Sequence, residues 1–350
     1  MSTPPRVRRI PFGRTRGGEV VTRYELHGDD GMRVALLDYG AIVQELHVPD
    51  AAGALADVVL GYDDLAGYED DPWYMGAVVG RTAGRIPAGV LAIEGEQFRL
   101  ATNDGSSHLH GGAHGFSCRT WRGEVDEREG RLSVTFTRRS ADGEEGYPGT
   151  LDARVTYSLT ARTLAVSYHA TTDRPTVANM TQHSYFNLAG EGTGSILDHA
   201  MQLHADRYVP LEPGLVPSGH ALPVQGTVFD FRTPHRPGER IGRDEEQLVM
   251  ARGYDHGFVV RGAGDVLAAA AHVTEPITRR TLEVWTTEPA VHLYTGNFLS
   301  AERTGKHGHR YDCHGGFCLE TQQLPGAARR ILHPGETLRS RTEFRFGIAS

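Results

Sequence analysis

Apolar and polar residues alternate along much of this chain, and this period-two pattern is the feature that most limits its fold. The segments RLSVTF (131–136), ARVTYSL (153–159) and LAVSY (164–168) show it most clearly. Successive side chains of a β-strand point to opposite faces, so each segment has one apolar and one polar face. The pattern is typical of antiparallel strands that rest one face on a hydrophobic core.

Glycine and proline interrupt the alternating segments. The 43 glycines and 18 prolines among 350 residues leave little room for long helices. VLAIEGEQFRL (90–100) predicts a hairpin that turns at Glu94-Gly95, and residues 236–252 contain the best candidate for a short helix. No repeat or linker divides the chain. We therefore predict one all-β domain over residues 1–350, a large antiparallel β-sandwich, with residues 1–18 as a candidate flexible arm.

Charge and cysteine content narrow the range of partners. The formal net charge of -8 argues against a nucleic-acid-binding surface, which needs a basic face. The apolar runs are too short to span a bilayer, and the basic N-terminal segment lacks the apolar core of a signal peptide. The three cysteines, Cys118, Cys313 and Cys318, cannot form a closed disulfide framework. These features predict a soluble, cytoplasmic protein that binds neither nucleic acid nor membrane.

Five stretches carry ionisable side chains that core packing alone does not explain. They are GRTAGRI, SSHLHGGAHGF, TQHSYFNLAG, GYDHGF and FCLETQQLP. In the last one a carboxylate follows three apolar residues that read as a buried strand, and such a charge is costly unless it is paired or chemically needed. The candidate residues are Arg81, Arg85, His108, His110, His114, His183, Asp255, His256 and Glu320.

Several of these residues also have a structural explanation, which their local sequence leaves open. Arg85 could tie strands together, because guanidinium groups bond several acceptors at once. His183 lies beside aromatic residues and could be a hydrogen-bonded core histidine. Asp255 could cap the turn formed by its neighbouring glycines.

The histidine-rich stretch raises the question of a metal. His108, His110 and His114 have the H-x-H spacing of a cupin-type site. No glutamate follows at the spacing that such a site uses. The sequence therefore predicts neither a metal nor a cofactor.

Taken together, these stretches resemble the signature segments of the aldose 1-epimerases. GRTAGRIPAG, LHGG, DGEEGYPG, QHSYFNLAG, GYDHGF, LYTGNFL and GFCLETQQLP follow one another in the order of that family, and HPGETLRSRTEFRF resembles its last strands. The resemblance implies the supersandwich fold of the galactose mutarotases. It also implies an isomerase that interconverts the α and β anomers of free aldohexoses such as galactose and glucose.

The resemblance assigns roles to individual positions. It implies that Glu320 is the general base and His183 the general acid, and that the two exchange roles when the sugar ring recloses. Arg85 and His110 would donate hydrogen bonds near the ring and C1 oxygens, and Asp255 would bind sugar hydroxyls. Arg81, His108, His114 and His256 would lie outside the site.

Three positions depart from the family pattern. His292 stands where the family commonly has a glutamine that lines the sugar pocket, and Gly84 stands where asparagine is frequent. Gln182 replaces the usual asparagine before His183. None of these changes removes an acid or a base, so we count His292 among the substrate-binding residues and expect the first two changes to affect sugar preference.

Other functions remain open at this stage. A sugar-binding sandwich without activity would have no need of both His183 and Glu320, and a sugar-phosphate epimerase would need further basic residues around its pocket. A glycosidase would use a carboxylate pair such as Asp255 and Glu320. A chain of this kind could be a monomer or a homodimer.

Overall fold

Strands account for most of the secondary structure in the computed structural model, which describes residues 6–326 and 329–349. The first part contains β1 (Val7–Arg14), β2 (Val20–His27), β3 (Arg33–Leu37), β4 (Ile42–Pro49), β5 (Leu55–Asp57), the helix α1 (Leu65–Glu69), β6 (Val78–Val79), β7 (Arg85–Ile86), β8 (Val90–Ile93), β9 (Glu96–Arg99) and β10 (His108–Leu109). The middle part contains β11 (Arg122–Arg128), β12 (Arg131–Ser140), β13 (Leu151–Thr160), β14 (Thr163–Thr172), β15 (Thr176–Val177), β16 (Thr181–Gln182), β17 (Ala200–Leu203), β18 (Ala205–Val209), β19 (Leu211–Glu212), β20 (Val216–Pro217) and β21 (Leu222–Pro223). The last part contains the helix α2 (Glu246–Ala251), β22 (Asp255–Val260), β23 (Ala268–Thr274), β24 (Arg280–Thr286), β25 (Ala290–Tyr294), β26 (Cys318–Gln322), β27 (Ile331–Leu332) and β28 (Leu338–Ile348).

Three larger sheets organise these strands. Their strand orders are β1-β2-β3-β4-β5, β11-β12-β13-β14-β28-β24-β23-β17 and β21-β18-β22-β25-β26. The pairings within them are antiparallel. One hydrophobic cluster collects buried residues from all three sheets, among them Leu36 from the first, Val155 from the second and Leu293 from the third. The prediction of an all-β antiparallel sandwich is therefore confirmed.

The alternation that predicted the strands also describes their burial. Along β13, buried and solvent-facing residues alternate from Leu151 to Thr160. The predicted hairpin forms between β8 and β9, and the residues at its turn, Glu94 and Gly95, both have positive φ. The predicted short helix is α2. Both α-helices have six residues or fewer, and within the described ranges no helix combines the length and apolarity needed to cross a membrane.

The N-terminal segment differs from the candidate flexible arm. Residues Val7–Arg14 form β1, which pairs with β2 through a bulge between Pro11 and Gly13. Val7 is buried and Ile10, Phe12 and Gly13 are half-buried, so the segment has no clean period-two pattern. Backbone pairing at a sheet edge holds it in place instead. Residues 1–5 of the proposed arm lie outside the described residues.

Candidate active site

A cavity of about 350 Å³ opens at one face of the sheet β21-β18-β22-β25-β26. Three adjacent strands of this sheet supply part of its wall, because His292 of β25 is the register partner of Glu320 in β26 and of Gly257 in β22. Residues two apart on a strand share a face, so Asp255 points to the same side as Gly257. The intervening residues, such as His256, point to the other side. The period-two rule thus separates the two neighbours Asp255 and His256.

The remaining predicted residues reach the cavity from short strands and loops. Arg85 belongs to β7 and pairs with Leu109 of β10, so His110 comes directly after this two-residue ladder. His183 follows β16, and its backbone N–H donates to the carbonyl of Ala77 at 2.8 Å. The structure brings together all six residues that the sequence assigned to the site, which are Arg85, His110, His183, Asp255, His292 and Glu320.

The candidate acid and base lie next to each other in the wall of this cavity. His183 Nε2 lies 3.7 Å from Glu320 Oε1, and the two side chains are only 5% and 4% exposed. This separation is too long for a direct hydrogen bond. Glu320 Oε2 is buried and has no hydrogen-bond partner among the described residues. An unsatisfied buried carboxylate oxygen is costly, so this atom is a candidate contact for a ligand hydroxyl.

His292 and Asp255 form a second acid–base pair. His292 Nε2 lies 2.7 Å from Asp255 Oδ1, and Arg85 Nη1 lies 3.8 Å from Asp255 Oδ2. Burial opposes ionisation of both partners, but their hydrogen bond prevails: it lowers the pKa of Asp255 and, with Glu320 nearby, raises the pKa of His292. Both shifts favour the charged form of the pair, and His292 Nδ1 has no hydrogen-bond partner in the described part of the chain.

His110 is a fixed donor rather than a metal ligand. Burial, followed by the charges of His183 and Arg85, lowers the pKa of His110 well below its usual value, so the ring is neutral. The backbone N–H of Gly84 donates to its Nδ1 at 3.3 Å, which assigns the ring proton to Nε2. His110, His183 and Glu320 each offer an atom within 4.8 Å of the others, a spacing that a metal ion could use. Because Nε2 of His110 carries the proton, this donor set fits a metal poorly.

Two glycines allow the backbone conformations next to Arg85 and His110. Gly84 has a φ of +74°, a conformation that asparagine tolerates better than most residues. Gly111 has a φ of +90°, and a Cβ there would lie 1.7 Å from the carbonyl oxygen of Gly80. Gly111, the first glycine of the LHGG motif, therefore allows the close approach of two loops.

The residues that the sequence placed outside the site lie elsewhere. The buried guanidinium of Arg81 donates to backbone carbonyls, for example to Gly149 at 2.8 Å, and ties loops together. His108 lies within 2.7 Å of the hydroxyl of Tyr147, and His114 is exposed. His256 packs against aromatic residues of the core, where burial lowers its pKa to about 3.

Gln182 and Gly84 show which family departures reach the cavity. The Gln182 side chain donates to the carbonyl of Gly76 and accepts from the N–H of Ser184, so it supports the loop that carries His183. It does not line the cavity, whereas Gly84 and His292 do.

Sequence reasoning missed several residues of the cavity wall. Trp73 and Tyr74 follow α1, and Asp71 holds this loop by accepting hydrogen bonds from the N–H groups of Trp73 and Met75. The Asp-Pro turn before two aromatic residues was a usable signal. Asp104, which binds Arg85 Nε at 2.7 Å, gave no local signal.

Comparison with known proteins agrees with the resemblance of the motifs. The family model described as aldose 1-epimerase matches residues 22–345. The galactose mutarotase of Bos taurus is 41% identical over 339 residues, which cover 95% of this chain and 96% of that protein. The aldose 1-epimerase of Escherichia coli K12 is 36% identical over 331 residues, covering 92% and 94% of the two chains.

Solved structures give the same result. The galactose 1-epimerase of Lactobacillus acidophilus superimposes with a TM-score of 0.87 at 27% identity, covering 98% of this chain and 99% of that one. An aldose epimerase homologue from C. elegans gives a TM-score of 0.83 at 28% identity, covering 93% and 98%.

Proposed function

Because this chain belongs to the aldose 1-epimerase family and is therefore an isomerase, we propose that it uses His183 and Glu320 to interconvert the α and β anomers of a free aldohexose such as galactose or glucose. The observation that carries the proposal is the approach of His183 Nε2 to within 3.7 Å of Glu320 Oε1. The C1 hydroxyl and the ring oxygen are bonded to the same carbon. An acid and a base that serve them must therefore lie close together.

The proton transfers follow from this arrangement. Glu320 removes the proton of the C1 hydroxyl while protonated His183 gives a proton to the ring oxygen, and the C1–O5 bond breaks. Rotation about the C1–C2 bond of the open aldehyde presents its other face. On reclosure the C5 hydroxyl attacks C1, neutral His183 takes the hydroxyl proton, and Glu320 returns its proton to the carbonyl oxygen. Both side chains end in their starting states.

The surrounding donors and acceptors support this chemistry. His110 Nε2–H is a donor whatever the state of His183, so it can stabilise negative charge on a sugar oxygen. Arg85 and His292 hold Asp255 as an ionised acceptor for sugar hydroxyls. Unpartnered His292 Nδ1–H is a donor to a further hydroxyl. We propose that His292 and the space beside Gly84 set sugar preference.

Two alternative functions are disfavoured by the same contacts. Asp255 is unsuited to be the general acid of a hydrolytic pair, because such a group needs a raised pKa and His292 and Arg85 lower the pKa of Asp255 against the effect of burial. A site for a sugar phosphate needs cationic side chains that are free to bind the phosphate group. Among the described residues that line the cavity, Arg85 is the only arginine or lysine, and it is shared by Asp104 and Asp255.

The test is polarimetry on freshly dissolved α-D-galactose and α-D-glucose. Glu320→Gln and His183→Asn should each lose about 10²- to 10⁴-fold of the catalysed rate, the usual share of one acid or base. Glu246→Gln and His114→Asn are matched controls, because both residues are exposed and neither lines the cavity. The proposal would be contradicted if wild type left the spontaneous rate unchanged, or if Glu320→Gln or His183→Asn kept the catalysed rate of wild type.

We also propose the wider setting of this activity. A single domain over the chain is supported by the hydrophobic cluster, which runs from Val7 to Phe346. A cytoplasmic location is supported by the three free cysteines. The partner is a small monosaccharide, and sedimentation would decide between a monomer and a homodimer.

A further inference from the structure

One side of the His183 ring faces a thiol. His183 Nδ1 lies 3.6 Å from the sulfur of Cys318, within hydrogen-bonding distance for a sulfur atom. Cys318 is fully buried and His183 is 4% exposed. Cys318 lies two residues before Glu320 in β26, so both side chains point to the same face of the sheet. The strand that positions the base therefore also places a thiol behind the acid.

Other groups around the ring do not compete for this nitrogen. The rings of Tyr74, His110 and Tyr185 lie with their centroids 5.9, 5.3 and 5.1 Å from that of His183. Glu320 faces Nε2, and Asp71 accepts hydrogen bonds from Tyr62, Trp73 and Met75. Within residues 6–326 and 329–349, the Cys318 sulfur is the one side-chain atom that hydrogen-bonds to Nδ1.

The proposed reaction places an unusual demand on this partner. His183 gives a proton from Nε2 on ring opening and takes one back on closure, so the ring alternates between imidazolium and neutral imidazole. The proton that moves is the one on Nε2, so Nδ1 keeps its own proton and must donate a hydrogen bond in both states. A carboxylate would accept this bond, but its negative charge would favour the charged ring. A thiol accepts the bond through its sulfur and carries no charge.

The state of the thiol is set by its surroundings. Burial, with the charges of Glu320 and Asp255, raises the pKa of Cys318 well above its usual value. The sulfur therefore keeps its proton while His183 changes charge. The neutral thiol therefore adds no negative charge that would favour the imidazolium form of His183.

We propose that Cys318 is a positioning residue whose sulfur accepts a hydrogen bond from Nδ1–H of His183 in both charge states, which leaves Nε2 as the nitrogen that exchanges the proton. The proposal rests on the proposed proton transfers of His183. It explains how the ring can keep one orientation through a cycle in which its charge changes twice.

Infrared spectroscopy tests the hydrogen bond without substrate. In a Cys118→Ser, Cys313→Ser background, Cys318 is the single source of S–H absorption, and a matched Cys318→Ala protein supplies the baseline. We expect the S–H band to be displaced from that of a free thiol and to move again when His183 changes charge between acid and alkaline pH. A band at the free-thiol position that does not respond to pH would overturn the proposal.

Kinetics test the consequence for catalysis. Cys318→Ala should lower kcat roughly three- to tenfold with little change in KM, the effect of losing one modest hydrogen bond. Cys318→Asp should move the alkaline limb of the pH–rate profile up by about one to two pH units, because a carboxylate favours the charged imidazole. Cys313→Ser, which changes an exposed cysteine that does not line the cavity, should keep the wild-type kcat and profile.

The outcomes separate this proposal from the proposed function. If wild type accelerates mutarotation but Cys318→Ala keeps its kcat and its pH profile, the positioning role is wrong and the acid–base assignment stands. If wild type shows no mutarotation, the proposed function fails, and the infrared result still decides the hydrogen bond. If Cys318→Ala does not fold, Cys318→Ser replaces it both as the kinetic variant and as the infrared baseline.

Discussion

Replacing His292 by alanine should destabilise the protein in a way that depends on pH. The change removes the 2.7 Å hydrogen bond to Asp255, whose side chain is 10% exposed. Removing one member of a buried ion pair costs about 3–5 kcal/mol. Arg85 remains 3.8 Å from the other carboxylate oxygen, so we expect the lower part of that range or slightly less, about 2–3 kcal/mol.

This loss of folding stability should be measurable as a shift in melting temperature. At about 2.1 cal/mol/K per residue, the 350 residues give an entropy of unfolding of about 0.7 kcal/mol/K, so Tm should fall by about 3–4 °C. His292→Gln, which restores an N–H donor, should recover part of the loss. His333→Gln removes an exposed histidine that pairs with Glu94, and this control should leave Tm unchanged.

The sign of the pH dependence distinguishes the ion pair from simple loss of packing. The pKa of His292 is raised in the folded state, so its contribution is complete below the ordinary histidine value and is lost as pH rises through the raised value. The pKa of Asp255 is lowered, so its contribution is lost only as pH falls through that lowered value. Calorimetry should show the largest gap between wild type and His292→Ala at about pH 5–6 and a smaller gap at alkaline pH. A gap that stays constant or widens as pH rises would refute the ion-pair argument.

Three further predictions concern other parts of the molecule. Gly84→Asn should fold, because asparagine tolerates positive φ, and should change the ratio of kcat/KM for galactose and glucose by about tenfold or more in polarimetry. Lys306→Met should lower the free energy of unfolding measured in urea by about 3–5 kcal/mol, because it leaves buried Asp57 and the carbonyls of Gln44 and Val59 without the ammonium group; an unchanged midpoint would contradict this. Dialysis against a chelator should leave mutarotation unchanged, since His110 Nε2 carries a proton, and a loss that added zinc reverses would disprove that tautomer.

The fold could be predicted where side-chain alternation determines it. In β12 to β14 one face rests on the core, so Leu132, Val155 and Tyr168 marked the strands directly. The strand β1 escaped detection because it lies at a sheet edge, where backbone pairing replaces the burial of a continuous apolar face. Edge strands of this kind leave a weak pattern in sequence.

The candidate site could be predicted only as a set of residues, not as a geometry. The motif resemblance named His183 and Glu320, but their approach depends on how two different sheets pack. Cys318 gave no signal of its contact with His183, since the two are 135 residues apart. Asp104 was missed because it lies in a loop, and its contact with Arg85 of β7 depends on how that loop folds back.

The position of β28 has a consequence for the newly made chain. This strand lies in the middle of the eight-stranded sheet, between β14 and β24, although it comes after both in sequence. While a ribosome is still translating the residues before β28, β14 and β24 each expose an unpaired edge, and the two halves of the sheet cannot join. Assembly of this sheet therefore waits until β28 has left the exit tunnel, and chaperones that shield open strand edges have their longest opportunity on this protein just before that moment.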